Sequence, residues 1–280
     1  MKKKILICSF IALSALFSCS DDEKGSNDPG IEGTDTALLR ASTSYDQLTA
    51  IDLRTAFEVL AESAQNRTMN ALVPSELPEC AVMTEETGPN DTFPKTYTID
   101  FGDSCTHNGI TRSGILVFTL DNDFYVNGST LTISHENYTL NGYGIEGEVV
   151  YVNQSSSIFN PEWTSTITNG EVTNPDGEIF IHNGTRAVQQ IGGVATTEDW
   201  SDNIYKSVSG NHIVTKPNGA TLTATILSPL IKDASCDYAS EGSVTLQGET
   251  LDGVLDFGNG DCDNQATYTH SDGEVDIVDL

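Results

Sequence analysis

A cysteine-bracketed unit occurs twice in this sequence and constrains its fold more than any other feature. Cys80 and Cys105 are 25 residues apart, and Cys236 and Cys262 are 26 residues apart. In each unit two strand-like runs flank a polar turn with glycine, and the second run ends in Asp-Phe-Gly shortly before the closing cysteine. A hairpin brings its first and last residues side by side, so each unit predicts a hairpin closed by a disulfide. We expect the phenylalanine of each triplet to be buried and the glycine to turn the chain.

The four cysteines of these units allow three disulfide pairings, and a four-cysteine zinc site is the competing interpretation. Cysteines that bind structural zinc usually come in close pairs such as C-x-x-C, and the sequence contains none. The repeated spacing favours the pairs Cys80–Cys105 and Cys236–Cys262. Each bond would stabilise the folded chain by about 3 kcal/mol, because it restricts the unfolded chain.

The first 18 residues have the composition of an export signal. Three lysines precede a short apolar run, Ile5 to Phe17, which is too short to span a membrane. This run leads into Leu16-Phe17-Ser18-Cys19, which resembles the lipobox of bacterial lipoproteins. The resemblance implies that residues 1–18 are a signal peptide and that Cys19 is acylated, which would tie the chain to a lipid bilayer. An ordinary secretory signal peptide is the alternative.

Residues 19–43 are predicted to form an acidic, flexible tether, because they are rich in polar residues and offer little to bury. The residues that directly follow Cys19, Ser20 to Glu23, resemble the signal that sends lipoproteins of the Bacteroidota to the cell surface. The resemblance implies an outer-membrane location with display at the cell surface. The periplasmic face of that membrane is the alternative.

One amphipathic helix is predicted, beginning at Ser44 and ending near Arg67. Ser44 and Gln47 form a capping-box pattern. Apolar residues then recur at helical spacing: Tyr45, Leu48, Ile51, Phe57, Leu60 and Ala64. The polar face is not basic, which argues against a helix on a membrane surface. We expect the apolar stripe to cover one face of a sheet.

From Cys80 onward the chain has the pattern of β structure. Runs rich in Thr, Val, Ile, Tyr and Phe predict strands at 95–101, 111–120, 129–140, 143–153, 163–173, 178–190, 203–215, 219–227, 242–247, 251–257 and 265–278. Hairpin turns are predicted at Asn127-Gly128, Asn141-Gly142, Asp176-Gly177, Asn183-Gly184, Asn218-Gly219 and Asp272-Gly273. This punctuation favours a long antiparallel meander over βαβ units. The predicted fold is therefore mainly β, a single domain over residues 44–280 in which the N-terminal helix packs on an extended or barrel-like sheet.

Three segments of the chain resemble a Bacteroidota lipoprotein family of uncharacterised function. They are YTIDFGDSC with the RSG that follows, ISHENYTLNG with IEGEV, and LDFGNGDCDNQATYT. The resemblance covers roughly residues 75–280. It implies an extracytoplasmic, β-rich fold that contains the four cysteines, and it brings no catalytic residue with it.

The net charge excludes some partners. The chain has 13 basic and 41 acidic residues, for a formal charge of −28. Such a surface repels nucleic acid and anionic membrane faces. Two acidic loops, Asp121 to Asp123 and Asn259 to Asp263, group oxygen donors, but neither fits the EF-hand pattern. No cofactor is therefore predicted, and a weak calcium site in one of these loops stays open.

No motif in the sequence predicts catalysis or a metal centre. The five histidines are not at metal-ligand spacing: His107, His135, His182, His212 and His270. No G-x-S-x-G nucleophile motif is present. Four aromatic residues are candidates either for a sugar-stacking platform or for the core: Trp163, Trp200, Tyr143 and Tyr151. We therefore assign no catalytic residue and no metal ligand.

Three functional classes remain. The leading one is a lipid-anchored, non-enzymatic lipoprotein of the cell envelope, an interaction or structural module with an unidentified protein or glycan partner. The second is a carbohydrate-binding accessory lipoprotein of a polysaccharide-uptake system, and the third is a carboxylate-based hydrolase. The first predicts no deep polar cleft, the second an exposed row of aromatic side chains, and the third a concave pocket with two facing carboxylates.

Overall fold

The computed structural model describes residues 34–65, 77–124, 126–196 and 199–280. The predicted signal peptide (1–18), Cys19, residues 20–33 of the predicted tether and the predicted helix end at Arg67 lie outside these ranges.

The described chain consists of one long helix followed by 14 strands. The helix is α1 (Thr34–Gln65), and a short 3-10 helix, Trp200–Asp202, precedes the ninth strand. The strands are β1 (Val82–Gly88), β2 (Thr92–Asp100), β3 (Cys105–His107), β4 (Ile110–Leu120), β5 (Thr130–Leu140), β6 (Tyr143–Asn153), β7 (Glu162–Thr173), β8 (Ile179–Gly192), β9 (Ile204–Thr215), β10 (Thr221–Asp233), β11 (Glu241–Gln247), β12 (Asp252–Asn259), β13 (Gln265–His270) and β14 (Val275–Asp279).

All 14 strands form one antiparallel sheet in which sequence neighbours pair, with β3 beside β4 off the main path. The sheet is open, with β1 and β14 at its two edges. Helix α1 packs across one face of it. This arrangement confirms the predicted mainly-β meander with one N-terminal helix.

One predicted turn is wrong. Asn183-Gly184 lies in the interior of β8, where Gly184 pairs with His212 of β9. A Cβ atom on Gly184 would lie 2.4 Å from the backbone oxygen of Asn211. The glycine therefore permits a close approach of two strands here instead of a reversal of the chain. The last predicted strand, 265–278, is divided into β13 and β14 by the predicted turn at Asp272-Gly273.

Both predicted disulfides are present, and each closes the open end of a hairpin. Cys80 is bonded to Cys105, and Cys236 is bonded to Cys262. In the first hairpin β1 pairs with β2, and in the second β11 pairs with β12. Since β11 lies nine positions from β1 in an antiparallel sheet, the two hairpins point in opposite directions. The disulfides therefore lie at opposite ends of the sheet.

The Asp-Phe-Gly triplets have the expected local structure. Phe101 is buried, and Gly102 has a φ of 61°. In the second hairpin Phe257 packs against the core, and Gly258 has a φ of 90°. The aspartate of each triplet accepts a hydrogen bond of 2.8 Å from the backbone N–H of its glycine. Both triplets are thus tight turns of the kind that glycine favours.

The helix begins ten residues before its predicted start, which corrects the boundary of the tether. Residues 34–43 are helical, so Ser44 lies inside α1 and caps nothing. The Asp35 carboxylate accepts hydrogen bonds of 2.9 Å from the Thr250 hydroxyl and 2.8 Å from the Leu251 N–H, in the turn between β11 and β12. Leu38 and Leu39 are buried in the core formed with β8 to β14. This segment is polar on average and was therefore assigned to the tether, although its two leucines pack against the sheet.

Leu38→Ala is expected to lower the free energy of unfolding by about 3 kcal/mol, because Leu38 is fully buried and its removal leaves a cavity. Denaturant unfolding of the full chain measures the change. The matched control is Leu227→Ala in β10, where the leucine is 60% exposed and a change below about 0.5 kcal/mol is expected. Equal effects of the two substitutions would mean that residues 34–43 are not part of the core.

Candidate functional site

A cavity of about 590 Å³ lies between α1 and the face of the sheet that the helix covers. Helix residues between Thr43 and Arg54 line one side, and residues of β6 to β10 line the other. Its volume is within the range of sites that bind small organic molecules. The Arg54 side chain at its rim is 52% exposed, so the cavity reaches the protein surface.

Strand alternation explains how the sheet presents its side chains to the cavity. On β8 the residues at every second position, from Phe180 through His182 to Arg186, share one face. Phe180 and His182 are buried, and Arg186 lines the cavity. On β9 the same face carries His212, which also lines it. The floor of the cavity thus continues the buried face of the sheet.

Three aromatic side chains form what we call the aromatic wall: Trp163 of β7, Tyr205 of β9, and Trp200 of the short 3-10 helix. The ring centroids of Trp163 and Tyr205 are 5.7 Å apart, and those of Trp200 and Tyr205 are 5.8 Å apart. Trp163 is only 7% exposed. The two tryptophans therefore line the cavity and do not form an exposed aromatic row on the outside of the sheet.

Two basic side chains lie in the same cavity. The Arg186 guanidinium is 3.1 Å from the Asp46 carboxylate of the helix. Lys232 of β10 donates a hydrogen bond of 2.9 Å to the backbone oxygen of Asp237. Among the described residues, no carboxylate lies within ion-pair distance of the Lys232 amine. Lys232 therefore places a positive charge in the cavity, and this charge has no ion-pair partner among the described residues.

The pKa values of these groups reflect the closeness of the charges. Burial raises the pKa of Asp46, but Arg186 and His212 outweigh that effect and hold it below its usual value. Burial lowers the pKa of Lys232, against the opposite effect of the Asp46 and Asp237 carboxylates. Three basic residues line the cavity, Arg54 included, against the two acidic ones, whereas the whole chain has a charge of −28. The cavity is thus a locally basic site in an acidic protein.

A buried chain of hydrogen bonds lies beside the cavity. The Ser42 hydroxyl of α1 is 2.8 Å from Nδ1 of His212, and Nε2 of His212 is 3.1 Å from Nδ1 of His182. Tyr45 stacks on the His182 ring with centroids 4.2 Å apart. Nε2 of His182 has no hydrogen-bond partner among the described residues. Since all these side chains are buried, the chain of hydrogen bonds joins the helix to β8 and β9.

Burial has a strong effect on both imidazoles. It lowers the pKa of His212 from 6.5 to about 4, although the nearby Asp46 carboxylate opposes the change. It lowers the pKa of His182 to about 2, and the neighbouring His212 adds to the change. Both rings are therefore neutral at pH 7, and the pair acts as a structural contact between neutral groups.

A second polar cluster joins the middle of the helix to β4 and β5. The Asp52 carboxylate accepts a hydrogen bond of 2.7 Å from the Tyr138 hydroxyl and lies 3.0 Å from Nε2 of His135. Arg112 donates to the Tyr138 hydroxyl at 3.1 Å and to the Thr55 hydroxyl at 2.9 Å. These contacts fix the rotation of the helix about its axis, and so determine which helix residues face the cavity.

Four of the five histidines, and one carboxylate in each acidic loop, have other partners in the fold. His182 and His212 are within hydrogen-bond distance of each other, His135 is within hydrogen-bond distance of Asp52, and His270 lies 2.7 Å from Asp276. In the acidic loops, carboxylate oxygens of Asp121 and Asp263 accept hydrogen bonds from the backbone N–H groups of Thr130 and Gln265. Within the residues that the structure describes, no three His, Cys, Asp or Glu side chains come together in a group suited to a metal ion.

Sequence reasoning missed Arg186, Lys232 and Asp46 as lining residues. One signal for them was available. Arg186 lies on the same face of its strand as Phe180 and Val188, so strand alternation already places a basic residue on an apolar face. A basic residue on the buried face of an acidic chain indicates a polar site there. No comparable pattern marks Lys232 and Asp46. They are far from Arg186 in the sequence, and only the fold brings them close to it.

Comparisons with known proteins gave no relative. No protein-family model matches the chain, and no curated protein or solved structure matches it. No helix in the described part of the chain has the length and apolar composition needed to span a bilayer.

Proposed function

We propose that this protein is a lipid-anchored lipoprotein of the cell envelope, displayed at the cell surface, that binds a small organic molecule without chemically changing it. The observation that carries the binding role is the 590 Å³ cavity between α1 and the sheet. The signal-peptide pattern and its Cys19 support the anchor and the location. The leading interpretation from sequence predicted no deep polar cleft, so the cavity counts against a general interaction module and favours a ligand-binding one.

The residues that surround the cavity support binding more than catalysis. The helix side and the sheet side are linked by the Asp46–Arg186 ion pair and by the Ser42–His212 hydrogen bond. Such links hold the walls in a fixed relation, which reduces the entropy that a ligand must lose on binding. The Asp46 carboxylate is held by a cation, so it is a poor candidate for a general base.

The first test of this proposal uses tryptophan emission, because both tryptophans of the chain line the cavity. The acylated full chain is placed in phosphatidylcholine vesicles and titrated with anilinonaphthalene sulfonate, and energy transfer from tryptophan to the probe is recorded. We expect saturable transfer. Ser207→Phe, which fills the cavity from β9, should weaken binding at least about tenfold.

The matched control for this test is Ser209→Phe, at an exposed position of the same strand. It should bind the probe as the unsubstituted chain does. Transfer that rises without saturation, or that is equally strong with Ser207→Phe, would show that the probe reports the vesicle surface and would refute binding in the cavity.

The anchor is tested independently of the cavity. Bacterial cells that express the full chain are fed an alkyne-bearing fatty acid, and the label on the purified protein is measured. We expect label on the unsubstituted chain and its loss with Cys19→Ala. Equal labelling of the two proteins would contradict acylation at Cys19.

Surface display is tested by protease treatment of intact cells of the Bacteroidota, because only a surface-exposed chain is degraded.

A further inference from the structure

We propose that the molecule bound in the cavity is an organic anion with a flat ring body, whose negative group is bound by Lys232 and Arg186 and whose ring lies against the aromatic wall. This inference rests on the proposed binding function and specifies its ligand class.

The first support is the unused hydrogen-bonding capacity of the two cations. The Arg186 guanidinium makes one hydrogen bond to a described residue, the contact with Asp46, which leaves its other N–H donors for water or a ligand. Lys232 donates only to the Asp237 backbone oxygen among described residues. A carboxylate, sulfonate or phosphate group would accept from both side chains.

The second support is the balance of charge. Arg54 is already paired with Glu58 at 2.6 Å, and Arg186 with Asp46 at 3.1 Å. Lys232 is the cation of the cavity that has no carboxylate within ion-pair distance among the described residues, and the Asp46 and Asp237 carboxylates act on it only from farther away. A half-buried ammonium group gains from a countercharge at contact distance, which an anionic ligand would supply.

The third support is the position of Lys232 relative to the aromatic wall. Lys232 of β10 is the register partner of Tyr205 of β9, the residue that contacts both tryptophans. The cation and the wall are thus adjacent, so a molecule bound to the amine also reaches the rings. An inorganic anion would use the cations and leave the wall without a function. A ring-bearing anion uses both.

The test compares two probes that share an aromatic body and differ in charge. Anilinonaphthalene sulfonate is anionic, and N-phenylnaphthylamine is neutral. Both are titrated into the full chain in phosphatidylcholine vesicles, and tryptophan energy transfer is corrected for the probe that protein-free vesicles take up. We expect the anion to bind about tenfold more tightly or better, since it gains charge-assisted hydrogen bonds.

The decisive variant is Lys232→Gln, which removes the charge but retains a donor for the Asp237 backbone oxygen. It should weaken binding of the anion about tenfold and leave binding of the neutral probe unchanged. Lys216→Gln is the matched control and should change neither, because this lysine is partly buried, pairs with Glu178 and does not line the cavity. Circular dichroism of each variant checks that it folds.

Each outcome decides one proposal or both. Equal affinity for the two probes, or an equal loss of both with Lys232→Gln, would overturn the anion preference and leave ligand binding in the cavity intact. Saturable binding of neither probe would overturn both proposals. Tighter binding of the anion that is lost only with Lys232→Gln supports both.

Discussion

Acidification from pH 7 to pH 4 is expected to destabilise this protein strongly through its two buried histidines. The folded state lowers the pKa of His212 from 6.5 to about 4 and that of His182 to about 2. The unfolded chain therefore binds more protons than the folded chain over this interval, so the free energy of unfolding falls as the pH falls below 6.5. The expected loss is on the order of 3 kcal/mol for each ring by pH 4.

The geometry of the pair gives the physical reason. A hydrogen bond between Nε2 of His212 and Nδ1 of His182 requires one protonated and one bare nitrogen. When both rings are fully protonated, two N–H groups face each other and two positive charges are buried together. Because Ser42 and Tyr45 of the helix pack on the same rings, this repulsion also weakens the contact between α1 and the sheet.

The measurement is denaturant unfolding of the full chain at several pH values between 7 and 4. The double variant His182→Asn/His212→Gln should be less stable at pH 7, but its stability should change little over this range. His107→Gln, in β3, retains both buried rings and should keep the full pH dependence. If the double variant loses stability on acidification as steeply as the unsubstituted chain, another group causes the effect.

Most of the sheet was predictable because its signals are local. Alternation of apolar and polar residues and turn dipeptides such as Asn141-Gly142 are read within a few residues of the chain. The disulfides were predictable because the repeated spacing of Cys80–Cys105 and Cys236–Cys262 made one of the three pairings stand out. These features depend little on where distant strands lie.

The errors arose where a distant contact decides the local structure. Residues 34–43 are polar on average, and what makes them helical core is burial of Leu38 and Leu39 against strands far along the chain. Gly184 has the neighbours of a turn glycine, yet it is required because the β9 backbone passes close to it. Neither contact can be read from the segment itself.

The cavity is the least local feature of all. Arg186, Lys232 and the aromatic wall come from β7, β8, β9, β10 and the 3-10 helix, whereas Asp46 and Arg54 come from α1. These elements meet only because the helix crosses one face of a long meander. The sequence offers only a constraint: few basic residues exist in this acidic chain, and one that lies on an inward strand position needs a partner, which the fold supplies for Arg112 and which a ligand would supply for Lys232.

The helix keeps its position over the cavity through polar contacts as well as apolar ones. In its first turn Asp35 accepts a hydrogen bond from the β11–β12 turn. Further along the helix, Ser42 is hydrogen-bonded to His212, and Asp46 forms an ion pair with Arg186. Hydrogen bonds are directional, whereas apolar contacts tolerate sliding. This series of contacts therefore determines which helix residues border the cavity, and the Asp52 cluster extends it to the middle of the helix.

Asp52→Ala is accordingly expected to lower the free energy of unfolding by roughly 3–5 kcal/mol, because it leaves the buried Arg112 cluster without its countercharge. Asp52 is 1% exposed, and its carboxylate accepts from Tyr138 and contacts His135. Burial raises the pKa of Tyr138, so its hydroxyl stays protonated and relays the contact from Arg112 to Asp52.

Denaturant unfolding of the full chain at pH 7 measures this loss, and two variants show what causes it. Asp52→Asn retains an acceptor for the Tyr138 hydroxyl and should cost less than Asp52→Ala, because only the charge is lost. Glu58→Ala removes an acidic residue of the same helix that pairs with the exposed Arg54, and it should cost below about 1 kcal/mol. If Asp52→Ala costs no more than Glu58→Ala, the cluster does not hold the helix on the sheet, and the walls of the cavity are positioned by the other polar contacts of the helix and by apolar packing.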